Sequence, residues 1–99
     1  MLELGSGPGL GGFLAAHWAS RVTLSDYQDL VMDLLRLNAR ECNPNPESCE
    51  ITLTKLDWCA ENNLNVPVED ATGKEIGILK DQNYDLIIGT DIVYWPTII

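Results

Sequence analysis

The opening stretch LELGSGPGLGG constrains this chain most, because an apolar segment runs without a break into a run of glycines. Glycines placed directly after a strand supply positive φ and let a ligand approach the backbone closely. Met1 to Leu4 reads as a strand, Gly5 to Gly12 as a loop, and Leu10 to Ser20 as a helix. The β-branched stretch RVTLS, Arg21 to Ser25, predicts a second strand ending at Asp26.

The same alternation continues along the chain. A helix is expected from Tyr27 to Cys42, with Asp29, Asp33, Arg36 and Arg40 forming one solvated stripe. Leu30, Leu34, Leu35 and Leu37 are expected on the opposite, buried face. Acids early and arginines late in this segment suit the helix dipole. The stretch NPNPES stops it, since proline cannot continue a helix. ITLTKL, Ile51 to Leu56, predicts a third strand, and YDLIIG, Tyr84 to Gly89, a fourth that is covered on both faces. Between them Cys59 to Asn83 is long and polar, and residues 60–83 are expected to be a loop or insertion.

Strands alternating with helices imply an α/β fold: a Rossmann-like, doubly wound parallel sheet of about four strands, with helices between them. Ninety-nine residues fit a single partial domain of this type. Such sheets bind ligands beyond the carboxyl ends of their strands. Gly5 and Gly7 follow the first strand, Asp26 the second, Asp57 the third and Asp91 the fourth. The expected topology therefore gathers four chemically useful positions on one rim.

Composition narrows what that rim can meet. A net charge of −9 argues against a nucleic-acid partner, whose affinity rests on basic side chains. Three cysteines with no CxxC pair suggest reduced thiols, no metal site and a cytoplasmic or nuclear location. No apolar run reaches membrane-spanning length. Asp26 lies nineteen residues beyond Gly7, near the offset at which an acid meets ribose hydroxyls in nucleotide-binding folds. Its alternative role is to cap the helix that follows. The register Gly7-x-Gly9-x-x-Gly12 also satisfies the dinucleotide fingerprint, whereas the register from Gly5 has Leu10 at the third glycine.

Taken together and in order, LELGSGPGL, VTLSDY, LDW and YDLIIGTDIVYW resemble a Rossmann-like, seven-β-strand S-adenosylmethionine-dependent methyltransferase. More narrowly, Asp91-Ile92-Val93-Tyr94 matches the D-x-x-Y motif of the family 16 protein lysine methyltransferases. The resemblance implies that Gly5, Ser6 and Gly7 wrap the methionine part of S-adenosylmethionine, with Glu3 ordering the loop. It implies further that Asp26 holds the ribose and Tyr27 flanks the adenine. Asp57 and Trp58 would recognise or cover the adenine, and Thr90 would line the pocket. Asp91 and Tyr94 would face the lysine amine of a protein substrate.

Relative to that family the chain begins inside the first strand and ends just after Tyr94, so a fragment retaining part of the cofactor site is the expectation. Two other classes remain open on the residues alone. One is a nicotinamide-dependent oxidoreductase using the Gly7–Gly12 register; the other is a non-catalytic interaction domain that has kept the fold.

Overall fold

The computed structural model describes residues 1–89. The elements are β1 (Leu2–Leu4), α1 (Leu10–Ala15), β2 (Arg21–Asp26), α2 (Asp29–Glu41), β3 (Glu50–Lys55), β4 (Pro67–Asp70), β5 (Glu75–Ile78) and β6 (Ile87–Gly89). They build one six-stranded sheet in the order β5-β4-β3-β2-β1-β6. The four strands expected from the sequence form its parallel part, β3-β2-β1-β6. From β1 the chain steps outward through β2 to β3, then β6 returns to the other side of β1. The gap between β1 and β2 on one side and β6 on the other is thus a topological switch point, where open α/β sheets form their ligand crevice.

Residues 60–83 are not simply a loop. They supply β4 and β5, an antiparallel hairpin that extends the sheet beyond β3, and two short 3-10 turns at Asn63–Asn65 and Leu79–Asp81. Pro67 stands first in β4, where proline is tolerated. Val68 is buried and packs with Leu56 and Leu79. The hairpin turn is fixed by Asp70, whose Oδ1 accepts from Thr72 N–H at 2.9 Å and Lys74 N–H at 3.1 Å. Gly73 takes φ +89°, a conformation that disfavours a side chain. Polar composition hid this hairpin because one inward residue, Val68, is enough to anchor β4.

The two sheet faces differ in chemistry. Residues of β2 and β3 alternate, so Val22, Leu24, Ile51 and Leu53 share one face with Met32, Leu35, Ala39 and Ala16 of the helical layer. Thr23, Ser25, Thr52 and Thr54 fall on the other face, all buried. There Leu4, Trp58, Val66 and Tyr84 pack around Leu56, Val68 and Leu79. Thr23 Oγ1 and Thr52 Oγ1 bond each other at 2.7 Å, and Ser25 Oγ and Thr54 Oγ1 donate to the carbonyls of Glu3 and Pro67, so burial leaves none of the four unsatisfied.

Both helices depart from the expected limits. α1 ends at Ala15 rather than Ser20, because His17 and Trp18 N–H turn to the carbonyls three residues back, Leu14 and Ala15. In α2 the buried residues are Met32, Leu35 and Ala39. Leu30, Leu34 and Leu37 are exposed, at 82%, 42% and 46%. The stripe of Asp29, Asp33, Arg36 and Arg40 is solvated as expected, apart from a half-buried Arg36, and it also pairs with the sheet: Asp29 with Lys55 at 2.7 Å and Arg36 with Glu69 at 2.7 Å. β6 also differs from expectation, since Ile87 is 58% exposed and Leu86 55%. It is an edge strand among the described residues.

Candidate functional site

The carboxyl ends of β1 and β2 carry a loop held by carboxylates. Gly5, Gly7 and Gly9 all have positive φ, at +62°, +55° and +97°, so the chain can coil tightly between β1 and α1. At Gly7 a Cβ would meet nothing within 4 Å, so this glycine fronts open space. Gly11 and Gly12 are different. A Cβ on Gly11 would lie 2.5 Å from Glu3 Oε2, and one on Gly12 would lie 2.0 Å from Leu24 Cδ2. Their lack of a side chain lets α1 sit directly on β1 and β2.

Glu3 lies under this contact, 2% exposed. Its Oε1 accepts from Gly12 N–H at 3.2 Å. Burial pushes its carboxyl above the ordinary value, an effect partly offset by the Ser6 hydroxyl and the Gly12 N–H. Around its backbone the loop is stitched to β2. Ser25 Oγ donates to Glu3 O at 2.6 Å, Ser25 N–H donates to Ser6 Oγ at 3.0 Å, and Ser6 N–H donates to Ser25 O at 2.8 Å.

Asp26 closes the loop from the second strand. Its Oδ2 accepts from Gly7 N–H at 3.1 Å, while Oδ1 accepts from Tyr27 N–H at 2.8 Å and Gln28 N–H at 3.4 Å. The same carboxylate therefore ties the glycine turn to the two residues before α2; it does not cap that helix, whose N-cap is Gln28 with no side-chain cap bond. Tyr27 is 45% exposed beside it and its hydroxyl accepts from Gln28 Nε2 at 3.0 Å. Asp29 in the first turn of α2 is held below the usual carboxylate range by Lys55.

Asp57 and Trp58 follow β3 and so stand at the same end of the sheet, since Asp26 and Lys55 are ladder partners. Asp57 is exposed and its Oδ1 accepts from Cys59 N–H at 3.0 Å, forming a local turn. Trp58 is half-buried against the Leu56–Val68–Leu79 cluster and its carbonyl accepts from Asn63 Nδ2 at 3.3 Å. Both residues thus have structural work at the positions assigned to them. Thr90, Asp91 and Tyr94 lie outside the described residues.

The register places Glu3, Gly5, Ser6, Gly7, Asp26, Tyr27, Asp57 and Trp58 at one edge of the sheet, which the strand order requires. Sequence reading missed Ser25 and Gly11, and gave Gly12 a place only in the dinucleotide register, not in helix packing. Their signals were a hydroxyl just before Asp26 and a glycine pair inside a helix, where helix propensity alone disfavours glycine. Among the described residues no group of three or more His, Cys, Asp or Glu is placed to hold a metal ion, and no helix is long and apolar enough to cross a membrane.

A sheet with a parallel β3-β2-β1-β6 core, a glycine turn at its switch point and acids at its strand ends is an α/β domain of the doubly wound, nucleotide-binding type. Comparison with known proteins gives the narrower class: the chain belongs to the lysine methyltransferase family, which it matches over residues 1–99. It is 33% identical over 94 residues to protein N-lysine methyltransferase METTL21A of Xenopus tropicalis, and 30% identical over 94 residues to that of Danio rerio. Each match covers 95% of this chain and 36% of the relative, so the chain spans about a third of the length of these curated relatives. No solved structure matches it significantly.

Proposed function

We propose that the site belongs to an S-adenosylmethionine-dependent methyltransferase acting on a lysine side chain of a protein, in the reducing cytoplasm or nucleus. The carboxylate lining of the glycine loop carries this reading. Gly7 and Gly12 N–H already face Asp26 and Glu3, and Ser6 and Gly9 N–H are taken by backbone carbonyls. A dinucleotide pyrophosphate needs such donors free and would meet the Asp26 carboxylate. A ligand with a net positive charge, such as a sulfonium, gains from the same field. Open space at Gly7 lets the ligand reach the backbone.

In this reading Gly5, Ser6 and Gly7 hold the methionine part, with Glu3 bracing them from beneath. Asp26 would receive the ribose hydroxyls on the lone pairs left after its backbone bonds. Tyr27, Asp57, Trp58 and Thr90 would surround the adenine and the pocket wall, and Asp91 and Tyr94 would receive the amine. When bound, the cofactor supplies an electrophilic methyl group. The protein's task is then to bring a neutral amine in line at roughly 3 Å. A free lysine amine has a pKa of about 10.4, so Asp91 would attract the ammonium before the proton leaves. Tyr94 would orient the amine by its hydroxyl or ring face.

Calorimetry with S-adenosylhomocysteine and with NAD tests the cofactor. Binding of the first and not the second is expected, and the reverse overturns the reading. Binding of neither points to an interaction domain. Labelled methyl transfer onto lysate proteins tests the chemistry, with Asp91→Ala as comparison. Equal labelling by that variant removes Asp91 from its role.

A further inference from the structure

β6 is three residues long, lies at the sheet edge among the described residues, and pairs with β1 through Leu2↔Ile87, Glu3↔Ile88 and Leu4↔Gly89. Leu86 and Ile87 are more than half exposed, so burial of β6 side chains does little to fix its register. Strands whose faces are poorly buried are prone to slip, and a slip of one residue turns every side chain to the other face. Contacts of the preceding segment resist this: Arg21 Nη1 donates to Gln82 Oε1 at 3.1 Å, and the Tyr84 ring packs against the Leu56–Val68–Leu79 cluster. Tyr84, three residues before β6, reaches beyond β1 to β2, where its hydroxyl donates to Thr23 Oγ1 at 2.9 Å. Thr23 is wholly buried and its Oγ1 lies 2.7 Å from Thr52 Oγ1. A slip would draw Tyr84 along by about 3.3 Å, taking its hydroxyl out of hydrogen-bond reach of Thr23 Oγ1. The hydrogen bond is therefore compatible with one register only.

We propose that Tyr84 is a positioning residue: its hydroxyl, seated on the Thr23–Thr52 pair, pins the register of β6. Asp91 and Tyr94 follow Gly89 by two and five residues, so the pin sets where the amine-facing segment starts. This last consequence rests on the proposed methyltransferase reading; the pin itself does not. Removing the hydroxyl leaves Thr23 and Thr52 bonded to each other, so the effect falls on β6 and not on the β2–β3 ladder.

Amide hydrogen exchange on this chain tests the pin directly. Tyr84→Phe should speed exchange at Ile88, the β6 amide that faces β1, by about five- to tenfold, the loss of one hydrogen bond, with Val22 to Ser25 and Ile51 to Thr54 unchanged. Thr23→Val should speed β6 exchange as Tyr84→Phe does, and Thr52→Val should leave β6 as it was. Unchanged β6 exchange in Tyr84→Phe, or a uniform loss of protection across the sheet, overturns the proposal. For the reaction, Tyr84→Phe should lower turnover about fivefold while S-adenosylhomocysteine binds with unchanged affinity. Wild-type protein that binds no S-adenosylhomocysteine would count against the cofactor reading and leave the exchange result to decide the pin.

Discussion

Gly12→Ala should destabilise the chain even though alanine is the better helix former. In the interior of α1, alanine for glycine is worth about 1 kcal/mol in favour of the folded state. The new Cβ, however, would stand 2.0 Å from Leu24 Cδ2, with Glu3 Oε1 at 3.1 Å and Val22 Cγ1 at 3.3 Å. The last two contacts are relieved by shifts of tenths of an ångström, but the first is not, because Leu24 is wholly buried in the core. Overpacking of this kind costs about 1–3 kcal/mol, and so severe an overlap belongs at the upper end. The net loss is about 2 kcal/mol, a fall in Tm of about 8–16 °C for a domain of this size. Thermal denaturation followed by circular dichroism measures it. Truncating the neighbour is the control: in a Leu24→Ala background the same substitution should be neutral or stabilising, a coupling of about 2 kcal/mol. Gly12→Ala that leaves Tm unchanged, or that costs as much in the Leu24→Ala background as in the wild type, would refute the close-packing argument.

Asp26→Asn keeps one acceptor and places an amide donor against either Gly7 N–H or Tyr27 N–H. A loss of about 1–2 kcal/mol is expected by urea denaturation, with weaker binding of S-adenosylhomocysteine by calorimetry. Glu3 has a raised carboxyl value in the folded chain, so its contribution is full below the unfolded glutamate value and is lost as pH rises through the folded one. The stability of the wild type relative to Glu3→Gln should therefore decline with rising pH across that window, and a flat difference in denaturation midpoints would refute it. Within α2, Leu35→Ala should cost about 2–5 kcal/mol, since Leu35 is fully buried. Leu30→Ala, at a position 82% exposed, should stay within about 0.5 kcal/mol in the same denaturation assay.

The parallel strands and the rim were legible because their signals are local. An apolar segment followed by glycine or aspartate marks a strand and its carboxyl end without knowledge of any partner. The hairpin β4–β5 was not legible, because its inward face carries a single apolar anchor and its strand partners are known only once β3 is in place. The buried face of α2 was misjudged for a related reason. Four leucines offered two overlapping stripes, and only contact with β2 and β3 selects Met32, Leu35 and Ala39.

Sequence by itself determined the order of elements, the glycine turn and the placement of acids at strand ends, since chain direction and alternation suffice for those. Tertiary structure alone decided how the acids are used. Glu3 accepts from an amide of α1 nine residues away and Asp26 from a loop amide nineteen residues away, and Tyr84 meets a threonine sixty-one residues away. Such bonds depend on which strands become neighbours, and that is a property of the assembled sheet, beyond the reach of any stretch of sequence read alone.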